Sequence, residues 1–209
     1  MSNRIFCLLG PSSSGKDKLY RTLLQNSALS LRRVVLYTTR PKRSGEEEGR
    51  QYRFTTEEQY GEFCRSGRII EERAYDTVHG IWRYYTVDDG QIDLSVSSSL
   101  IIATPEALRS FRAYFGGEAV VPLYIHVDDG ERLARALKRE RAQASPKYAE
   151  MCRRFLSDTE DFSPEKLAAA GIGAENTYEN PDGELERCAQ RLAAAILAQT
   201  GVQEQDGGE

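Results

Sequence analysis

The stretch "IFCLLGPSSSGKDKLYRTLL", residues 5–24, decides the fold. Its first five residues are apolar and end at Gly10, a run too short for a helix that reads as a buried parallel strand. From Lys16 to about Asn26, Leu19, Leu23 and Leu24 recur at helical spacing. Between the two lies GPSSSGKD, one residue away from GxxxxGK followed by Ser or Thr, the loop that wraps nucleotide phosphates. Gly10, Gly15 and Lys16 fit that pattern, and Asp17 stands where a magnesium-binding hydroxyl is usual. In such a loop the backbone of residues 11–16 turns its N–H groups toward a β-phosphate, helped by the positive end of the next helix. Lys16 then bridges the β- and γ-phosphates. The candidate ATP-binding residues are Gly10, Pro11, Ser12, Ser13, Ser14, Gly15, Lys16 and Asp17. A plain strand-to-helix turn with a surface lysine is the alternative, but strand, loop and helix agree on the phosphate site.

Outward from this unit, apolar runs and helical patterns alternate. Further strands are expected at 33–39, 99–104 and 119–127, where Pro122 suggests a start after it. Helices are expected at 56–66 with a cap at Thr55 or Thr56, from Pro105 to about Phe115, and from Asp128 or Asp129 to about Arg141. Two more cover roughly 146–162 and 184–199. Strands alternating with helices predict an α/β fold, a parallel sheet covered on both faces. Residues 50–98 break the alternation with aromatic and β-branched runs and read as a small mostly-β insertion.

At 209 residues, with no Gly- or Pro-rich linker, the chain reads as one continuous domain with subdomains; the polar end, 201–209, reads as a disordered tail. No stretch has the length of a membrane span or a signal-peptide core. Four scattered cysteines, Cys7, Cys64, Cys152 and Cys188, read as reduced thiols in a cytoplasmic protein without a zinc site. A net charge of −4 argues against a general nucleic-acid binder. The basic clusters "RPKR" (40–43) and "RLARALKRER" (132–141), joined to a phosphate loop, point to an anionic small-molecule substrate.

The segment "TTRPKRSGEEEGRQYRF" (38–54) resembles the guanylate kinases, whose TTRxPRxGExxGxxYxF pattern it follows at Thr38, Thr39, Arg40, Arg43, Gly45, Glu46, Gly49, Tyr52 and Phe54, with Pro41 one residue ahead of the pattern's proline. The resemblance implies the P-loop nucleoside monophosphate kinase fold, with a core at 1–36, 99–130 and 160–200. An acceptor-binding insertion at 37–98 and a helical lid at about 131–159 complete it. It implies ATP-dependent phosphorylation of a nucleoside monophosphate, GMP + ATP to GDP + ADP, with Mg2+ accompanying ATP. By it, Arg40, Arg43, Tyr52 and Tyr85 hold the acceptor's phosphate and Glu71 reads the base. Arg139, Arg141 and Arg154 of the arginine-rich stretch 136–155, with Lys16, stabilise the transferring group, and Asn180 lies near the adenine.

Some positions depart from the family. The third strand, "LIIATPEAL", has Ala103 or Thr104 where an Asp-Ile-Asp carboxylate is expected, and Leu36 replaces a base-reading serine. Asp17 is therefore a candidate magnesium ligand in a reciprocal exchange, against the reading that it only complements the helix N-terminus. Ribose 1,5-bisphosphate phosphokinases, which share the Gly-Lys-Asp loop and lack Asp-Ile-Asp, are the alternative reading. A non-catalytic interaction module of guanylate-kinase-like type is a third.

Overall fold

The computed structural model describes residues 2–77 and 80–201, so the expected tail beyond Gly201 lies outside the described residues. In chain order the elements are β1 (Ile5–Leu9), α1 (Lys16–Gln25), β2 (Arg32–Arg33), β3 (Tyr37–Thr38), β4 (Arg53–Phe54), α2 (Glu57–Arg65), β5 (Ile69–Thr77) and β6 (Gly80–Val87). They continue with β7 (Ser99–Ile102), α3 (Pro105–Phe115), β8 (Val120–His126), α4 (Asp129–Arg141), α5 (Tyr148–Asp161), α6 (Pro164–Ala169), β9 (Thr177–Glu179) and α7 (Leu185–Thr200). Among the described residues, five parallel strands form the main sheet in the order β2-β7-β1-β8-β9. A second sheet, β4-β3-β6-β5, carries the insertion.

β1 has a partner strand on each side, and all five of its residues are fully buried. Its side chains alternate between two faces. Ile5, Cys7 and Leu9 join Leu108 and Phe111 of α3 in one cluster. Phe6 and Leu8 join Leu19 and Leu23 of α1 and Leu192 and Ile196 of α7 in the other. This is why the run reads as continuously apolar. The caps follow from local chemistry. Thr56 and Gln59 form a reciprocal capping box at α2, Thr104 accepts from the Ala107 N–H at 3.2 Å ahead of Pro105, and Asp128 caps α4.

Three expectations change. The strand expected at 33–39 is two: Arg32–Arg33 pair with β7, whereas Tyr37–Thr38 belong to the second sheet. Between them the Gln91 side chain takes the Val35 N–H at 2.8 Å, which ends the first ladder. Pro122 lies inside β8, whose other neighbour β9 pairs only with Tyr124–His126, so Pro122 interrupts no ladder on that side. The short α6, entered through Ser163 and Pro164, was not expected from periodicity, and its six residues are too few to show a period.

Cys7 and Cys188 are buried while Cys64 and Cys152 are exposed. No helix among the described residues is long and apolar enough to cross a membrane.

Leu192→Ala, at a fully buried site on α7, is expected to cost about 2–5 kcal/mol in urea unfolding. Leu156→Ala, on α5 and 69% exposed, should stay within about 0.5 kcal/mol. Equal losses would mean that α7 does not close the core.

Candidate active site

The loop after β1 lies at the C-terminal edge of the parallel strands, where α/β sheets bind ligands. Gly15 has φ 88°, and a Cβ there would come within 2.5 Å of Asn180 Nδ2. That amide donates to the Ser14 carbonyl at 2.7 Å, while the Asn180 N–H donates to the His126 carbonyl at 3.0 Å. Asn180 is thus a buried brace that fixes the loop to the end of the sheet, and with Ser13, Gly15, Lys16, Asp17 and Arg139 it borders a cleft of about 510 Å³. Burial lowers the Lys16 ammonium from its usual range, against the pull of the Asp17 and Asp158 carboxylates.

Helix α5 touches the loop directly. Asp158 of α5 accepts from the Ser12 N–H at 2.9 Å, and Arg154 donates to Ser12 Oγ at 3.2 Å. Arg139 borders both the loop cleft and a second one of about 670 Å³, which also takes in Ser12, Ser13, Arg43 and Arg154. Arg141, the last residue of α4, is exposed and borders neither. Arg135 was missed in the sequence. It donates to the Asn180 carbonyl at 2.9 Å and to Asp182 at 2.7 Å, and it reaches the Ser13 carbonyl at 3.4 Å. Its signal was there, since it precedes Arg139 by one helical turn and shares its face.

In the segment 38–54 Arg40 is buried and makes a two-pronged pair with Glu46, at 2.7 and 2.9 Å. Its Nε donates to the Tyr84 hydroxyl at 3.1 Å, and its guanidinium lies 5.3 Å from the centre of the Tyr52 ring. Glu46 also accepts from the Arg43 N–H, and chiefly through its bond with Arg40 its carboxyl is held down at about 2. Tyr85, expected at this cluster, faces the other way. Its ring stacks on Tyr37 and its hydroxyl meets Thr55 at 2.6 Å inside the small core. Neighbouring residues of a strand point to opposite faces, so Tyr84 takes the position beside Arg40 and Tyr52. Glu71 is buried and accepts from the Thr86 hydroxyl at 2.9 Å. Burial pushes its carboxyl up, against the opposing Arg73 charge and the Thr86 hydrogen bond.

Among the described residues, no group of three His, Cys, Asp or Glu side chains could hold a metal ion alone. Thr104 uses one lone pair of its hydroxyl to cap α3. The Asp17 carboxylate is exposed at the loop cleft and makes no hydrogen bond or ion pair with the described residues. One free carboxylate beside a phosphate cradle suits magnesium, which binds through one or two carboxylates plus substrate phosphates.

The guanylate kinase family model matches residues 2–81, which hold the loop and the acceptor segment. Guanylate kinase of Anaplasma phagocytophilum (strain HZ) is 32% identical over 142 residues, 68% of this chain and 66% of that protein. Guanylate kinase of Wolbachia pipientis wMel is 34% identical over 97 residues, 46% of this chain and 48% of that protein. The chain thus spans about half to two thirds of the length of these curated relatives. The crystal structure of guanylate kinase from Anaplasma phagocytophilum superposes with a TM-score of 0.62 at 20% identity, covering 97% of this chain and 88% of that one. The fold is therefore shared well beyond the segment in which the sequences align.

The Arg40–Glu46 pair sets a pH dependence. Glu46 has a folded value near 2, below its ordinary 4.5, so its contribution to stability is complete above about pH 4.5 and is lost as pH falls toward 2. Unfolding of wild type and Glu46→Gln should differ most at neutral pH and converge near pH 2. A gap that persists at pH 2 would show that the ionised pair is not its source.

Proposed function

We propose that this chain is a member of the guanylate kinase family, as its similarity to guanylate kinases supports, and that it transfers the γ-phosphoryl group of ATP to GMP, giving GDP and ADP. The observation that carries this reading is the 670 Å³ cleft, where Ser12 and Ser13 of the phosphate loop, Arg139 and Arg154 of the lid and Arg43 of the acceptor segment share one space. A transferring phosphoryl group spreads charge over three equatorial oxygens, and catalysis consists of holding two anions in line among fixed cations.

In this scheme the loop amides and Lys16 hold the donor phosphates, while Arg43, Tyr52, Tyr84 and Arg40 hold the acceptor phosphate. Arg40, oriented by Glu46, keeps its fork fixed before the substrate arrives. Arg139 and Arg154 neutralise charge as the group moves, and Arg141 joins them only on further closure of the lid. Asn180 and Arg135 keep the loop in shape. No side-chain base is required, because an acceptor phosphate oxygen is already a nucleophile at neutral pH. Asp17 is the residue that would hold magnesium, which supplies charge neutralisation at the β- and γ-phosphate oxygens.

In this reading residues 1–36, 99–130 and 160–200 form the core, 37–98 the acceptor-binding insertion and about 131–159 the lid, in a cytoplasmic enzyme. The relatives described above are guanylate kinases, and neither the sugar-phosphate nor the non-catalytic alternative is favoured.

An ADP-release assay with ATP and magnesium tests this with GMP, dGMP, AMP, UMP and ribose 1,5-bisphosphate. GMP and dGMP should lead, and Lys16→Met should lower kcat by roughly 10²-fold or more. Asp17→Asn should raise the magnesium concentration needed for half-maximal rate. Turnover of the sugar phosphate alone would overturn the proposal.

A further inference from the structure

Glu71 on β5 and Thr86 on β6 are cross-strand partners, and the Thr86 hydroxyl satisfies only Oε1 of Glu71. The other oxygen, Oε2, is buried without a hydrogen-bond partner among the described residues. Arg73, two residues along the same strand and therefore on the same face, holds its Nε 3.5 Å from that oxygen. This Nε is likewise buried and makes no hydrogen bond with the described residues. The two form an ion pair without a hydrogen bond. Here an orphan donor and an orphan acceptor stand side by side.

Their position gives the pair a use. Arg73 is the cross-strand partner of Tyr84, whose hydroxyl belongs to the Arg40–Tyr52 cluster. Glu71 and Thr86 lie one two-residue step further along the strands, roughly 6.7 Å away. One strand face therefore runs from a phosphate cluster, past Arg73, to a buried carboxylate. Arg73 also borders a cleft of about 630 Å³ with Thr104, Pro105, Glu106 and Arg109, a size within the roughly 300–1,000 Å³ usual for small-molecule sites. Leu36 packs against the core of the main sheet and offers no donor to this face.

We propose that Arg73 is a specificity residue of the acceptor cleft, which with Glu71 reads the lactam edge of a 6-oxopurine. The ring N–H goes to Glu71 Oε2 and the adjacent carbonyl accepts from Arg73. The Arg73 side chain, 21% exposed at the cleft wall, swings off Glu71 as the base enters. The inference rests on the GMP kinase reading and adds a residue to it. A 6-aminopurine presents the reversed pattern, donor where the carbonyl was and acceptor where the N–H was, and leaves both protein groups facing their own kind.

The test measures kcat and KM for GMP, IMP and AMP, and calorimetric Kd for GMP and AMP, on wild type, Arg73→Met and Arg73→Lys, with melting temperatures alongside. IMP keeps the lactam edge without the 2-amino group. Arg73→Met should lose about tenfold or more in kcat/KM for both GMP and IMP, mainly through KM, and narrow the GMP-to-AMP ratio. Arg73→Lys should recover part of the loss. If Arg73 only neutralises Glu71, Arg73→Met will lower the melting temperature and weaken all three nucleotides alike, which overturns the proposal. An unchanged GMP-to-AMP ratio in a variant that still phosphorylates GMP overturns it too, and leaves the kinase reading intact. Wild type that neither binds nor phosphorylates GMP overturns both. Where GMP binds without turnover the kinase reading falls, and the Kd ratio decides on Arg73.

Discussion

A single amide contact organises the glycine-rich loop of this protein. Asn180 Nδ2 holds the Ser14 carbonyl at 2.7 Å, across 166 residues of chain, and the missing Cβ of Gly15 makes room for it. The backbone of the same asparagine is bonded to His126 at the end of β8 and to Arg135 on α4. Loop, sheet and α4 therefore meet at one residue that is 2% exposed. Because a buried amide must find partners, the contact fixes the loop and is itself fixed by the sheet. A loop held in this way keeps its amides oriented before any phosphate arrives, which spares the reorganisation that weakens a flexible anion site.

Helix α5 and the cluster around Arg40 both show charges kept in order by internal partners. Asp158 takes a loop amide and Arg154 leans on the same serine. Glu46 plays the corresponding part for Arg40. Arg154 and Arg40 are each held by an internal partner, without a high density of unpaired positive charge. The overall charge of −4 is compatible with phosphate binding for the same reason: the relevant field is local, and surface carboxylates elsewhere set the sum.

Much of this was readable in the chain. β1, α1, α3 and α4 lie where periodicity and caps put them, because continuous apolar runs and Thr104, Pro105 and Asp128 each carry a local physical meaning. The split of residues 33–39 was hidden, since the Gln91 side chain that ends the first ladder is distant in sequence. Tyr84 against Tyr85 is a question of strand register, and an error of one residue turns a side chain to the other face. Asp158 and Arg73 were overlooked for a different reason. Each draws its meaning from a partner far along the chain or across a strand, and nothing in the local pattern distinguishes an arginine on a cleft from one in solvent.

The four thiols divide by position. Cys7 and Cys188 are sealed in the two cores on either side of β1, and burial pushes both thiols well above their usual range, Cys188 to about 11. Cys64 on α2 and Cys152 on α5 are exposed. Thiolate chemistry follows ionisation and access. A mild alkylating dye therefore discriminates between the two pairs without any engineering, and donor and acceptor fluorophores on Cys64 and Cys152 turn the native chain into a ruler between those two segments.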